Sequence, residues 1–180
     1  MPRPPAAAAY RGTRFHQWVE ARFGQVPLID ADGLVPEGEA ENEDDLVTLQ
    51  QAFLAGPYAD RQPAAVEAPF HLVLGEQILV GRIDAVYAVE PASSTLPADA
   101  RYEVVDWKTG HHPADPLQLA LYRLAWAELH QIPIEQVVAT FYYVATGRIE
   151  RPDDLPDRAA LTQWWSGSRS QMIERGTTPF

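Results

Sequence analysis

An α/β fold built on a mixed sheet is predicted by three features of this 180-residue chain. Two stretches of helical period open it, three stretches of strand period follow closely, and an amphipathic helix separates these from a fourth apolar strand. Helices before, between and after the strands must cover both faces of a sheet, which gives an α/β sandwich. At 46% hydrophobic residues the chain is one domain with enough apolar side chains for a real core.

Taken in order, Pro2–Ala9 is rich in Pro and Ala and reads as a linker or boundary segment, leaving residues 10–180 as the domain. Thr13 is placed to N-cap a helix over RFHQWVEARF, where Phe15, Trp18, Val19 and Phe23 fall at helical spacing and Gly24 closes the turn. Gln25–Asn42 is a loop of Gly, Pro and acids. Glu43–Leu54 then forms a second helix with Leu46, Leu49 and Phe53 on one face. After Gly56-Pro57 the period changes to two. Val66–Leu74 (VEAPFHLVL), a Gly75-Glu76 turn and Gln77–Val89 (QILVGRIDAVYAV) read as a hairpin. A loop over Pro91–Arg101 leads to the strand Tyr102–Lys108 (YEVVDWK), so the three strands make an antiparallel meander. Pro116–Leu129 is an amphipathic helix, Val137–Ala145 an apolar strand and Asp157–Ile173 a final helix. The predicted order is α-α-β-β-β-α-β-α.

Composition removes several function classes. Without Cys there is neither a disulfide framework nor a thiolate-held zinc or iron–sulfur site. No G-x-x-x-x-G-K run is present, so the chain carries no motor ATPase. No signal peptide or membrane-length apolar run is visible, and the expected location is cytoplasmic, at the nucleoid if DNA is the partner. The formal charge of −11 opposes binding to phosphates, but Glu37, Glu39, Glu41, Glu43, Asp44 and Asp45 form one run. Outside that run the balance is −5, so a tight grip on DNA is expected to need a partner domain.

The chemistry gathers at Tyr102–Gly110 (YEVVDWKTG). Alternation along a strand puts Asp106 and Lys108 on one face and Trp107 on the other. Such a pair is either a surface ion pair or a cation-holding acid beside a base that can orient water. One count separates these readings: the chain has thirteen Arg, and Lys108 is its single Lys. A compact protonatable amine stands where it differs chemically from guanidinium. Asp84, in GRIDAV, should share a face with Arg82 and Val86, with Ile83 and Ala85 turned away. A carboxylate on an apolar central strand needs an Arg partner or a cation. If the second and third strands pair, Asp84 and Asp106 approach across the sheet, and a divalent cation would relieve their repulsion. His16, mid-helix among apolar residues, is either a hydrogen-bonded core His or a ligand. Gln118 and Tyr122 share a helix face. Glu67 is a further acid in an apolar run, with a weaker case than Asp84.

Together these pieces resemble the RecB-type nuclease branch of the PD-(D/E)XK superfamily, as in the C-terminal nuclease domains of bacterial helicase–nucleases such as RecB, AddA and AdnAB. The resemblance rests on His16 in GTRFHQWVE, Glu67 in VEAPF, Asp84 in GRIDAV, Asp106 and Lys108 in VVDWKTG, and Gln118 with Tyr122 in QLALY, in the family's order from Gly12 to Tyr122. It implies a restriction-endonuclease-like core with a mixed central sheet flanked by helices. It also implies that His16, Asp84, Asp106 and the backbone carbonyl of Trp107 hold Mg²⁺ or Mn²⁺, with Lys108 positioning the attacking water. Gln118 and Tyr122 would position the site and the strand, and Glu67 would support it. The implied activity is hydrolysis of DNA, single-stranded in the first instance, to 5′-phosphate and 3′-hydroxyl ends, in a unit with a linked UvrD-like helicase that processes double-strand breaks. Branch members that carry an iron–sulfur cluster use four Cys, so none is expected here. Arg in place of Lys suggests a high-GC genome and so the actinobacterial type. The rival classes are a non-catalytic DNA-guiding or scaffold domain and a free-standing exonuclease; the full set His16, Asp84, Asp106 and Lys108 speaks against the first.

Overall fold

Five strands pair in sequential order, β1-β2-β3-β4-β5, into one mixed sheet. The computed structural model describes residues 7–24, 40–90, 96–110 and 113–165. β1 (Ala65–Leu74), β2 (Gln77–Ala88) and β3 (Tyr102–Lys108) form the expected antiparallel meander. β4 (Val137–Tyr143) joins β3 in parallel, with Asp106 opposite Phe141 and Lys108 opposite Tyr143. The parallel step needs a crossover, and α3 (Pro116–Leu129) supplies it. That helix starts as its sequence dictates: the Asp115 carboxylate accepts from the Leu117 N–H, and Pro116 occupies the first turn, where no N–H is required.

Two helical layers cover the sheet. On one face α1 (Ala7–Arg22) and α2 (Ala40–Leu54) bury Phe15, Val19, Leu46, Leu49 and Phe53 against Ala85, Tyr87, Val105, Trp107 and Tyr142. On the other face α3 packs Leu119, Tyr122 and Trp126 against Val86, Val104, Ala139, Phe141 and Tyr143. Residues 158–165 are helical, and Leu161 among them joins Leu72, Leu74, Ala120 and Leu124. β3 and β4 thus split their side chains between the layers at period two.

The structure corrects the sequence reading at several points. Thr13 lies inside α1 and is not its N-cap, because the helix begins at Ala7; the alanines of the expected linker are the strongest helix formers and carry it upstream. Gly24, with φ +82°, does sit just past the helix end. Ala40–Asn42, expected as loop, belong to α2. β4 stops at Tyr143, short of Ala145, because a turn brings Gly147 at φ +68° into β5 (Arg148–Glu150), a three-residue strand absent from the prediction. Residues 1–6, residues 25–39 and 91–95 of the two expected loops, and the expected last helix beyond 165 lie outside the described residues.

At the end of β3 away from Lys108, Glu103 is completely buried. Its oxygens accept from Tyr58 Oη (3.0 Å), Thr140 Oγ1 (2.8 Å), Arg61 Nη1 (2.9 Å) and Arg151 Nη2 (2.9 Å). Burial pushes its carboxyl up, but the bonds from Arg61, Arg151 and Thr140 outweigh this and hold it below its ordinary value. Glu103→Ala would leave both guanidinium groups without their acid. It should cost about 3–5 kcal/mol in urea unfolding, and a loss under about 1 kcal/mol would show that the network is not a structural lock.

Candidate active site

The site is set by register. The hairpin turns through two residues, Gly75 and Glu76, so Leu74 faces Gln77 and the count brings Val66 opposite Ala85 and Ala68 opposite Ile83. Glu67 and Asp84 fall opposite each other in the gap between those pairs. On the other side of β2, Ala85 pairs with Val105, and the same count brings Asp84 opposite Asp106. Three acids therefore lie in one row across β1, β2 and β3.

Strict alternation fails along that row. Ile83 packs with Val86 and Val104 under α3, whereas Ala85 packs with Tyr87 and Val105 under α1 and α2. Ile83 and Ala85 thus do not share a face as expected. On β1, Ala65 and Ala68 likewise both reach the α3 side. On β1 the change falls at Glu67, whose φ of +48° is a left-handed conformation that non-glycine residues adopt at a cost of about 1–3 kcal/mol. That rotation swaps the faces of the strand and turns Glu67 toward α1.

His16 meets it there. His16 Nδ1 lies 3.3 Å from Glu67 Oε1 and 3.7 Å from Asp84 Oδ1. Ligand atoms of His16, Glu67 and Asp84 all lie within 4.8 Å of one another. The other oxygen of Asp84 accepts the Trp107 backbone N–H at 2.9 Å, which fixes the carboxylate across the β2–β3 seam. The Arg82 partner considered for Asp84 is not used. Asp106, almost fully buried, is 2.6 Å from Lys108 Nζ. Lys108 also donates to Gln118 Oε1 at 2.8 Å, and Gln118 Nε2 donates to Tyr122 Oη at 3.0 Å. The Lys108 ammonium lies 5.2 Å from the centre of the Phe141 ring. Trp107, as predicted, points the other way into the α1–α2 core, edge-on to Phe53 and Tyr58.

The electrostatics are those of acids crowded out of water. Burial, then the neighbouring Asp106, push the Asp84 carboxyl up to about 7 against the opposing pull of His16 and the Trp107 N–H. Burial raises Asp106 as well, with Lys108 and His16 opposing. Burial works to lower His16, but the hydrogen bond to Glu67 and the charges of Asp84, Glu67 and Asp106 win and raise it. Tyr122 is raised by burial and by the same acids. Hard oxygen donors with one imidazole suit a divalent cation, whose charge would offset this crowding, so the residues present fit such an ion.

The sequence-predicted residues His16, Glu67, Asp84, Asp106, Lys108, Gln118 and Tyr122 are thus connected through direct contacts or shared charge. Glu67 stands closer to the centre than its reading as a support implied. Asp106 is outside the tightest three-donor group and is held by Lys108. The missed signal for Glu67 was countable: a two-residue turn at Gly75-Glu76 places it opposite Asp84.

Strand-borne acids beside a lysine two residues along, on a mixed sheet between two helical layers, accord with the class that the family profile assigns, a nuclease. The chain belongs to the PD-(D/E)XK nuclease superfamily, whose family profile matches residues 2–180. A search of curated proteins found no match. Among solved structures, a crystal structure from Eubacterium rectale described as a candidate exonuclease superposes with a TM-score of 0.63 at 14% identity, over 99% of this chain and 71% of that one. That likeness bears on the fold. Among the described residues no helix is long and apolar enough to cross a membrane.

Proposed function

We propose that the chain is a RecB-type nuclease domain that hydrolyses phosphodiester bonds of single-stranded DNA with Mg²⁺ or Mn²⁺, working beside a UvrD-like helicase in double-strand-break processing. The observation that carries the reading is the meeting of His16, Glu67 and Asp84 next to a Lys108 held by Asp106 and Gln118. His16, Asp84, Asp106 and the Trp107 carbonyl are the proposed cation ligands, with Glu67 adjoining them. A bound cation would supply Lewis-acid stabilisation of phosphoryl oxygens and acidify water. Lys108 orients the attacking water and places positive charge against the phosphate, and the Gln118–Tyr122 pair holds the ammonium in place. Products would carry 5′-phosphate and 3′-hydroxyl ends.

The test is cleavage of end-labelled single- and double-stranded oligonucleotides in Mg²⁺, Mn²⁺ and EDTA, with and without a partner helicase. The expected result is cation-dependent cleavage favouring single strands, reduced on the order of 10²-fold or more by Asp106→Asn. Wild-type protein inert under every condition would favour a DNA-guiding scaffold instead. Equal activity in the variant would overturn the site assignment.

A further inference from the structure

Beside the acids lies a cleft of about 480 Å³, lined by His16, Gln17 and Glu20 of α1 and by Glu67 and Arg82 of the hairpin. Arg82 is exposed, opposite Pro69, two residues from Asp84 on β2 and so roughly 7 Å from it along the strand. Although two glutamates line the same cleft, its side chain makes no hydrogen bond or ion pair among the described residues. Five other arginines, Arg11, Arg61, Arg148, Arg151 and Arg158, each pair with an acid, and Arg22 and Arg123 donate to backbone carbonyls. A guanidinium with no partner among the described residues, lining a cleft with two glutamates in a chain of net charge −11, has the form of a receptor for an anion brought by the substrate. Its planar fork matches two oxygens of one phosphate.

We propose that Arg82 grips a backbone phosphate next to the scissile one and so lays the strand across His16, Glu67 and Asp84. This rests on the nuclease reading above and adds to it a substrate-positioning residue. A phosphate contact carries no base information, so the grip is independent of sequence.

The experiment measures binding of fluorescent single-stranded oligonucleotides to the full chain by anisotropy across a salt series, in a Lys108→Ala background so that the strand stays whole, alongside steady-state cleavage by protein with Lys108 intact. Arg82→Gln should weaken binding about 5- to 20-fold for every sequence and flatten the plot of log affinity against log salt by about 0.7, the value of one single-strand phosphate contact. It should raise KM with kcat within about threefold, and Arg82→Lys should recover part of the affinity. A neutral methylphosphonate, walked along the oligonucleotide, should weaken binding at one position in the Arg82 protein and leave the Arg82→Gln protein indifferent at that position. Unchanged affinity and salt slope in Arg82→Gln, or a methylphosphonate penalty that persists without Arg82, overturns the proposal. Wild-type protein that neither binds nor cuts DNA overturns the nuclease reading itself, a separate result. Melting curves of each variant show whether the fold is intact, and the Arg82→Lys comparison keeps the proposal open to refutation if Arg82→Gln misfolds.

Discussion

Lys108→Ala should slow DNA cleavage on the order of 10³-fold, the range for removing a positioned proton-transfer or charge-stabilising group. The ammonium is held in place by its neighbours. Asp106 pairs with it as an ion at 2.6 Å, Gln118 accepts one of its donors at 2.8 Å, and the Phe141 ring lies 5.2 Å away. A donor is left for a water or a phosphate oxygen. Arginine offers no replacement: its fork is planar and longer, and it does not give up a proton. Lys108→Arg should therefore stay within about tenfold of the alanine variant although the charge is restored. Because removing Lys108 takes the counter-ion from buried Asp106, each variant needs a melting curve and a Mn²⁺-induced shift in Tm, so that lost turnover is read separately from lost folding or cation binding. Turnover of Lys108→Arg near the wild-type rate would reduce Lys108 to a point charge.

How far the sequence carried can be judged at individual residues. The meander, α3 and the opposite facing of Trp107 and Lys108 follow from period-two and period-3.6 patterns that the structure keeps, and Pro116 and Asp115 mark the helix start by local chemistry alone. Thr13 misled because a good capping residue was weighed against a stretch whose Pro residues look like a linker, while the intrinsic helix propensity of Ala7–Ala9 decided the matter. β5 escaped because three exposed residues, Arg148–Glu150, bury no face and so carry no pattern. Glu67 was visible as an acid in an apolar strand, but its rank depended on two things outside local pattern. One was the register, which the turn fixes. The other was the left-handed backbone at its own position, which no propensity predicts for a glutamate and which brings it within reach of His16. The partner of Arg61 and Arg151 was equally illegible, since Glu103 reads as an ordinary strand acid until the segments around Tyr58, Thr140 and Arg151 converge on it.

The stability of cation-free protein should fall as pH rises from about 4 to about 7, and added Mn²⁺ should restore it most strongly at the alkaline end. Asp84 has an ordinary value of 3.8 and is pushed up to about 7 in the fold, first by burial and then by Asp106. Between those values the unfolded chain has lost the proton that the folded one keeps, so folding is progressively disfavoured, and above about 7 the contribution levels off. The fall should be readable as a drop in Tm between pH 4 and pH 7 in EDTA. His16, raised in the fold, acts in the same direction: the stability it contributes is present below its ordinary 6.5 and is lost as pH climbs through its higher folded value. A cation requires ionised Asp84 and a deprotonated imidazole nitrogen, so binding releases protons and its gain in Tm should be larger at pH 8 than at pH 5.5. Asp84→Asn removes the ionisation. In EDTA it should melt above wild type at pH 8 and close to it at pH 4, and its response to Mn²⁺ should largely disappear. Melting curves in EDTA and in Mn²⁺ from pH 4 to 8.5 measure all of this together. Wild-type and Asp84→Asn curves that run parallel across that range, or a Mn²⁺ response that survives the substitution, would show that the row of acids is stabilised within the protein and does not await a cation.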